Sequence, residues 1–373
     1  MRTPDILIVG GGIIGLTAAY ALAKAGRAVE VVDRGDLGQA ASWAGAGILP
    51  PGNPDRAATP IERLRAASVS QFAKFSAELR DLTGIDNGYL KCQGIEFLAP
   101  EDAYAVDLWK NEGIRFHSWF RNEMTSVVPP AGTAGYFFPD LAQVRNPWHL
   151  RALIAACESV GVQLSPNTEV ANWETTAGKV TAARTQNGEA KPAGQFVIAT
   201  GAWADGLLKP LGWEPGVHPV RGQIVLIQPP KPVVKTVVMV GKRYLVPRAD
   251  GRVLVGSTEE PEAGFTNGNT VEGVQNLIEF THALVPRLID APVEKTWSGL
   301  RPGTPDGLPF LGPVPGWDNV VVAVGHFRSG VQLSIGTGDV VCDLLHGTAP
   351  RIPIDAFRLD RTPEMTARPA FRS

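Results

Sequence analysis

Cysteine is scarce in this chain, and long apolar runs are absent. The only three cysteines, Cys92, Cys157 and Cys342, stand far apart among 373 residues, which excludes a disulfide framework and a paired Cys-x-x-Cys redox or metal motif. No apolar stretch approaches the roughly 18 residues that a membrane span requires. The short apolar run after Asp5 breaks at Gly10, too soon for a secretory signal. We therefore expect a cytoplasmic protein without a metal site.

An excess of charge of one sign is absent as well. The chain has 35 Lys and Arg residues against 37 Asp and Glu residues, a formal net charge of -2. Proteins that bind nucleic acid or anionic membranes electrostatically carry a basic surplus, so we expect neither partner. The motifs of serine hydrolases, zinc proteases and phosphate-loop proteins do not occur either. These absences leave a globular protein with a small-molecule ligand.

The N-terminal residues form a nucleotide-binding pattern. The stretch Gly10-Gly-Gly-Ile-Ile-Gly15 fits G-x-G-x-x-G, follows a strand predicted at 6–9 and precedes a helix predicted at 16–25. A second strand, predicted at 28–32, leads into Asp33, 18 residues after Gly15. Glycines let the backbone approach a pyrophosphate, the helix N-terminus attracts it, and the carboxylate accepts hydrogen bonds from ribose hydroxyls. This unit predicts a dinucleotide site.

The residues leave the dinucleotide open between NAD and FAD, with FAD favoured. Asp33 suits an unphosphorylated ribose, which both possess, so it excludes only NADP. The run of small residues at 40–49 comes soon after the second strand. Such a run would let the chain pass close to a flat flavin and its phosphates, which favours FAD.

Strand and helix patterns alternate in blocks along the chain. Helices are predicted at 60–82 and 147–161, and apolar strands typical of a buried parallel sheet at 195–201 and 319–326. Shorter strands of antiparallel type are predicted at 90–98, 223–228, 243–248 and 252–257. We predict a Rossmann-like α/β domain from residues 1–85, 141–215 and 297–373, and a second, mainly antiparallel β-sheet substrate domain from residues 86–140 and 216–296.

Two ionisable residues near the C-terminus stand in unusual settings. Arg301 lies in Ser298-Gly-Leu-Arg-Pro-Gly-Thr-Pro-Asp306, where prolines and glycines predict a loop rather than a helix or a central strand. A solvated surface turn is the ordinary interpretation of such an arginine, and a ligand contact is the alternative. For His326, close to Arg328, a structural hydrogen bond is favoured over catalysis.

Six segments together resemble one known family. They are Gly10–Gly15 with Asp33, Ala41–Leu49, Ala199–Trp203, Arg243–Arg248, Gly299–Asp306 and Gly325–Gly330. In order and spacing they are similar to the FAD-dependent D-amino-acid oxidase superfamily, and within it to the glycine oxidases (ThiO) of the thiamine pathway. The resemblance covers nearly the whole chain. It implies a D-amino-acid oxidase-like fold whose Rossmann-like domain binds FAD.

The resemblance also implies the residues of the site. The substrate contacts fall on Tyr244, Arg301 and Arg328. The FAD contacts fall on Gly10, Gly12, Ile13, Ile14, Gly15, Asp33, Arg34, Ser42, Ala46, Gly47, Ile48, Val170, Gly201, His326, Phe327, Arg328, Ser329, Gly330, Val331 and Gln332. A guanidinium matches a carboxylate with a planar fork of donors, so Arg301 would bind the carboxylate of the substrate. No protein acid or base is required at the reacting carbon.

The implied activity is oxidative deamination of glycine and other small amines such as sarcosine and D-alanine. The products would be an imino acid, hydrolysed to a keto acid and ammonia, and hydrogen peroxide from molecular oxygen. The imine of glycine would supply thiazole synthesis for thiamine, and a homotetramer is implied. Gly299 stands where sarcosine oxidase relatives attach flavin to a cysteine, which implies noncovalent FAD.

One segment departs from the family pattern. After Gly330 the family often continues with an apolar Leu-Ala-Pro-Ala-Thr-Gly, but this chain has Val331-Gln-Leu-Ser-Ile-Gly-Thr-Gly338. Two alternatives to the oxidase therefore stay open: a flavin dehydrogenase that passes electrons to a quinone or a partner protein, and a flavin-binding subunit without turnover. Two candidates for the cap of the substrate pocket also stay open: residues 90–97, and the pair Glu259 and Glu260.

Overall fold

The computed structural model describes residues 3–120, 126–363 and 371 of the chain. Its helices are α1 (Ile13–Lys24), α2 (Ala41–Ala44), α3 (Pro60–Val69), α4 (Phe72–Thr83), α5 (Tyr104–Glu112), α6 (Asn146–Ser159), α7 (Ala204–Leu208), α8 (Val271–Leu284) and α9 (Gly330–Leu345). Its strands are β1 (Ile6–Val9), β2 (Val29–Val32), β3 (Ile48–Leu49), β4 (Leu90–Lys91), β5 (Gly94–Leu98), β6 (His117–Ser118), β7 (Ala134–Phe138), β8 (Ala142–Gln143), β9 (Gln163–Ser165), β10 (Val170–Thr176), β11 (Lys179–Thr185), β12 (Ala190–Pro192), β13 (Gln195–Ile198), β14 (His218–Ile227), β15 (Val237–Val240), β16 (Arg243–Pro247), β17 (Val253–Gly256), β18 (Val293–Gly303), β19 (Phe310–Pro313) and β20 (Val320–Val324). Within the described residues, no helix combines the length and apolar character needed to cross a bilayer.

A six-stranded, largely parallel sheet carries the N-terminal pattern. Its order is β19-β20-β13-β1-β2-β9, with β1 parallel to both β2 and β13 and the edge strand β19 antiparallel to β20. Helices α1, α6 and α9 cover one face, while β10, β11 and α7 cover the other. The apolar strands β1 and β2 are therefore buried on both sides, as continuous apolar strands require.

An eight-stranded sheet forms the second main part of the fold. Its order is β18-β14-β17-β16-β15-β5-β7-β6, and neighbouring strands are antiparallel except for β15 and β5. One face packs on α5, where the fully buried Trp109 meets the ring of Phe138. The other face packs on α8 through Leu277 and Leu284. The two sheets together have the predicted fold class, a Rossmann-like α/β unit beside a mainly antiparallel one.

Two predicted elements are divided in the structure. The helix predicted at 60–82 is two helices, α3 and α4, because the chain turns at residues 70–71. The strand predicted at 90–98 is two strands in different sheets, β4 and β5. Gln93 between them has a φ of 62°, a left-handed conformation that interrupts a strand.

The segment that carries Arg301 is a strand and not the predicted loop. It forms the C-terminal part of β18, where Arg301 stands opposite Val220 of β14 and Pro302 opposite Pro219. Proline is tolerated here because β18 is the edge strand of the eight-stranded sheet, and an edge strand has one side free of ladder hydrogen bonds. Arg301 is consequently fixed by a sheet.

A buried ion pair joins the C-terminal segment to the turn that follows β18. Arg361 Nε lies 2.7 Å from Asp306 Oδ2, and the two side chains are 8% and 2% exposed. Arg361 also lies over the ring of Phe310, 3.8 Å from its centroid. Burial opposes ionisation of Asp306, but the hydrogen bonds from Arg361 outweigh it and lower the pKa of the carboxyl.

We expect Asp306→Asn to lower the free energy of unfolding by about 3 kcal/mol at neutral pH, because Arg361 stays buried without its counter-charge. The contribution of the pair is complete above the pKa of an unfolded aspartate, about 3.9. It is lost as the pH falls through the lower folded pKa, so the difference from the parent should close in acid. Denaturant unfolding at several pH values measures this. Arg358→Gln breaks an exposed pair with Asp360 and should have little effect; equal losses in both variants would contradict the assignment.

Candidate active site

The glycine-rich turn brings the N-terminus of α1 against the end of β1. Gly10 has a φ of 112°, which side chains rarely adopt. A Cβ on Gly15 would lie 1.9 Å from the carbonyl oxygen of Gly10, so neither position accepts a larger residue. The turn presents bare backbone at a helix N-terminus, where backbone N–H groups and the helix dipole favour a phosphate.

The end of β2 places Asp33 and Arg34 beside this turn. Asp33 Oδ2 accepts a hydrogen bond from Gly11 N at 2.7 Å, and Oδ1 accepts one from Gly35 N at 2.9 Å. The carboxylate is thereby fixed, and each oxygen keeps a lone pair for a ribose hydroxyl. Arg34 stacks on Trp203, 3.6 Å from the ring centroid.

Two adjoining cavities collect most of the predicted site residues. The larger, of about 390 Å³, is lined by Gly10, Gly12, Ile13, Ile14, Asp33, Arg34, Ser42, Val170, Gly201, His326, Phe327, Arg328, Gly330 and Val331. The smaller, of about 60 Å³, is lined by Ala46, Gly47, Ile48, Tyr244, Arg301, Arg328, Val331 and Gln332. Arg301 and Arg328 line both cavities and mark their junction. Gly15 and Ser329 line neither: Gly15 packs behind the turn and Ser329 is the residue before α9.

Part of the wall of the larger cavity is missing from the predicted set. Thr200, Trp203 and Gly206 line it from the segment after β13. The hydroxyl of Thr200 is buried without a hydrogen-bond partner among the described residues. The segment Ala199–Trp203 carries the family resemblance, but sequence reasoning selected only Gly201 from it. No motif marks the further wall residues Thr168, Glu169 and Gln186.

Two glycines make room for the substrate-site side chains. A Cβ on Gly222 of β14 would lie 2.1 Å from both terminal nitrogens of Arg301, so the guanidinium lies against bare backbone. A Cβ on Gly256 of β17 would lie 2.4 Å from Tyr244 Cε2, and Tyr244 stands directly opposite Gly256 in the sheet. Tyr244 hydrogen-bonds with Arg301. Strand pairing therefore brings together residues that are distant in sequence.

Arg301 is a part-buried cation held by neutral acceptors. Its Nη2 donates to Ser257 Oγ at 2.6 Å, and its Nη1 donates to the carbonyl oxygen of Thr258 at 3.1 Å. Burial lowers its pKa to about 10, and the nearby charge of Arg328 acts in the same direction, so the group is still protonated at neutral pH. Whereas Arg328 pairs with Glu259, Arg301 forms no ion pair with a carboxylate within the described residues.

His326 is a neutral residue of the cavity wall. Its Nε2 shares a hydrogen bond with Thr337 Oγ1 at 3.0 Å. Burial lowers the pKa of the imidazole to about 3, so it carries no charge at neutral pH. The structural role that the sequence favoured for His326 fits this environment.

The residues present fit FAD. Bare backbone and the Asp33 carboxylate stand at one end of the larger cavity, and the Thr200 hydroxyl offers an unused donor. Small residues, Ala41 and Gly45, line the passage between the two cavities. A Cβ on Gly45 would lie 2.6 Å from Asn146 Nδ2, so the chain passes here as bare backbone, as a flat ring system beside it would require.

A dinucleotide cavity that opens into a small cationic pocket defines the class of flavin-dependent oxidoreductases acting on small anionic substrates. Comparison with known proteins agrees with this class. Residues 5–344 match the family described as FAD dependent oxidoreductase, and the chain belongs to that family.

The relatives within the family include glycine oxidases. The glycine oxidase of Pseudomonas aeruginosa is 35% identical over 352 residues, 93% of this chain and 96% of that protein. The bifunctional protein ThiO/ThiG of Trichormus variabilis is 36% identical over 355 residues, 92% of this chain and 53% of that protein. The crystal structure of glycine oxidase from Geobacillus kaustophilus has a TM-score of 0.90 and 32% identity, covering 97% of this chain and 100% of that one. The predicted family, fold and FAD cofactor are confirmed.

We expect Gly15→Ala to weaken FAD binding about 10- to 100-fold, because its Cβ would be forced against the Gly10 carbonyl at the pyrophosphate turn and overpacking of this kind costs roughly 1–3 kcal/mol. FAD titration of the apoprotein, followed by flavin absorbance, measures the effect. Gly35→Ala is the matched control, since the nearest atom to its Cβ would be Asp33 Oδ1 at 4.0 Å. Equal FAD affinity in the Gly15 variant and the parent would rule out this close approach.

Proposed function

We propose that this protein catalyses the FAD-dependent oxidative deamination of glycine and other small amines such as sarcosine and D-alanine. The observation that carries the proposal is Arg301, a part-buried cation with neutral acceptors at the junction of the two cavities. The carboxylate of a substrate would supply its missing counter-charge through a charge-assisted pair of hydrogen bonds. The glycine oxidase names of the relatives support the same substrate class.

The size of the smaller cavity supports a small substrate. It measures about 60 Å³, and Ala46, Gly47, Ile48 and Ile224 form part of its wall. An amino acid with little apolar surface must be oriented mainly through its carboxylate, so a rigid guanidinium matters more here than in a large apolar pocket. The hydroxyl of Tyr244 would donate to the same carboxylate and fix its plane.

The chain's own groups serve to position the substrate and to hold charge. FAD, when bound, would supply the redox chemistry, that is, acceptance of a hydride from Cα of the amine and transfer of two electrons to oxygen, so that the products would be an imine and hydrogen peroxide. Water hydrolyses the imine to a keto acid and ammonia. Arg301 would hold the carboxylate, and the neutral His326 adds no charge to the wall of the larger cavity. Fixing the reactants in this way supplies much of the acceleration without a protein base.

We also propose that FAD is bound noncovalently. A Cβ on Gly299 would lie 2.6 Å from the Cβ of Ala44, so the position where relatives attach flavin has no space for a cysteine. Cys92, Cys157 and Cys342 line neither cavity. These observations support a cofactor held by hydrogen bonds and packing.

We propose the domain division 1–85, 141–215 and 297–373 for FAD and 86–140 and 216–296 for the substrate. The strands of the six-stranded sheet fall in the first set, and those of the eight-stranded sheet fall in the second, except that β18 continues past 296. Residues 1–2, 121–125, 364–370 and 372–373 of these ranges lie outside the described residues.

The biological setting is proposed from resemblance alone. The name of the ThiO/ThiG relative supports a role in thiamine biosynthesis, with the imine of glycine as the product passed on to thiazole assembly. A homotetramer is proposed on the same ground. A cytoplasmic location is proposed from the few, widely spaced cysteines.

We expect Arg301→Lys to lower kcat/KM for glycine about 10- to 100-fold, because an ammonium keeps the charge but loses the planar fork, and a charge-assisted hydrogen bond contributes roughly 1.5–3 kcal/mol. FAD content should not change, since the cofactor cavity is built mainly from the other sheet. Arg243→Lys, an exposed neighbour of Tyr244, is the control. Parent-like turnover by the Arg301 variant would show that the carboxylate binds elsewhere.

The reaction itself is tested by the flavin spectrum under anaerobic conditions. Addition of glycine, sarcosine or D-alanine should bleach the flavin band, and air should restore it with stoichiometric hydrogen peroxide. Bleaching followed by slow recovery in air would favour a dehydrogenase that uses another electron acceptor. A flavin that none of the three amines bleaches would overturn the proposed activity.

A further inference from the structure

The junction of the two cavities holds two arginines, but they differ in their partners. Arg301 and Arg328 both line both cavities, and the charge of Arg328 contributes to the lowered pKa of Arg301. Two neighbouring cations of this kind could bind a ligand with two carboxylates. Whether they do so depends on which protein groups already pair with each guanidinium.

Glu259 already forms an ion pair with Arg328. Its Oε2 accepts from Arg328 Nη1 at 3.2 Å, while Arg328 Nη2 donates to the carbonyl oxygen of Lys242 at 2.7 Å. The other carboxylate oxygen of Glu259 accepts from the ammonium of Lys242. Arg328, Glu259 and Lys242 therefore form a network, in which the two residues that contact Arg328 also contact each other.

The Arg328–Glu259 pair is the part of the network that is sheltered from solvent. The Arg328 side chain is 8% exposed and that of Glu259 is 19% exposed, so water and salt screen this pair less than a surface pair. Burial opposes ionisation of Glu259, but Lys242, Arg328 and Arg301 outweigh it and lower the pKa of the carboxyl. Glu259 is therefore an anion at neutral pH.

The network also joins the two sheets at the pocket. Lys242 lies in the turn between β15 and β16, and Glu259 follows β17, both in the eight-stranded sheet. Arg328 follows β20 of the six-stranded sheet. The pairing consequently fixes the guanidinium at the point where the cofactor and substrate cavities meet.

We propose that Glu259 is a specificity-determining residue that reserves the site for amines with a single carboxylate. Arg301 is left to bind that carboxylate, while Glu259 neutralises Arg328 and repels a second anionic group. The inference rests on the proposed function and narrows its substrate class to monocarboxylic amines. Glu259 acts through Arg328 and is not itself a catalytic residue.

The test compares two matched amines. Sarcosine carries a methyl group on nitrogen, whereas iminodiacetate carries a carboxymethyl group there, so the pair differs by one carboxylate. We expect the parent to prefer sarcosine, and Glu259→Gln to raise the ratio of kcat/KM for iminodiacetate to that for sarcosine about tenfold or more, the gain that a released charge-assisted hydrogen bond allows. Glu259→Met is a second variant in case the first folds poorly.

The neighbouring carboxylate provides the control. Glu260 pairs with Arg221 at 2.5 Å and accepts a hydrogen bond from Gln223. Unlike Arg328, Arg221 lines neither of the two cavities. Glu260→Gln removes the same charge one residue away, so it should leave the substrate ratio within about twofold of the parent. If Glu259→Gln and Glu260→Gln raised the iminodiacetate-to-sarcosine ratio equally, the change in net charge alone would explain the effect. That result would overturn the inference.

A binding measurement separates failure of this inference from failure of the proposed function. Acetate and malonate differ by one carboxylate, and their dissociation constants can be measured from perturbation of the flavin spectrum without turnover. Glu259→Gln should improve malonate relative to acetate about tenfold. If no protein oxidised sarcosine but this ratio shifted, the proposed activity would fail, while discrimination by Glu259 against a second carboxylate would still be supported. Unchanged ratios for both pairs in the Glu259 variants would overturn it.

Discussion

The cost of burying a positive charge is the constraint on which this site depends. Removing a guanidinium from water is unfavourable unless its donors are satisfied and its charge is balanced. Ser257 and Thr258 satisfy two donors of Arg301, and both partners are neutral. The nearby charge of Glu259 balances Arg301 only in part, since no carboxylate among the described residues forms an ion pair with it. In the proposed function, this incomplete balance would give the pocket its affinity for a carboxylate.

The placement of Arg301 also constrains residues in both sheets, because a side chain of this size needs space. The eight-stranded sheet provides it by omitting side chains at Gly222 and Gly256. β18 then contacts the segment at the flavin end: Trp297 donates from Nε1 to the carbonyl oxygen of Ala44 at 3.1 Å and packs edge-on against Trp43. One edge strand thus carries the substrate-binding cation and also holds the small-residue helix α2 beside the cofactor cavity. The position of Arg301 relative to the flavin site is set by this double contact.

The two halves of the site differ in how far the sequence predicts them. The nucleotide half is local: a strand, a glycine turn, a helix and Asp33 follow within 33 residues, so spacing alone identifies it. In the substrate half, resemblance to a family selected Tyr244, Arg301 and Arg328. The glycines and prolines around Arg301 obscured its strand, because pairing with β14 is a long-range property. The role of Glu259 was not predictable for the same reason. Its partner Arg328 is 69 residues away, and no local pattern indicates the pair.

The identity of a charged residue does not by itself define its role in this pocket; its partner does. Arg301 and Arg328 are the same residue type and line the same two cavities. Arg328 has a carboxylate partner within the protein, Glu259, and this ion pair joins the two sheets. Arg301 has acceptors without charge, so its electrostatic field acts on whatever enters. Since a buried ion pair is largely self-compensated whereas a cation without an ion-pair partner is not, the same side chain joins the two sheets at Arg328 and, in the proposed function, binds the substrate at Arg301.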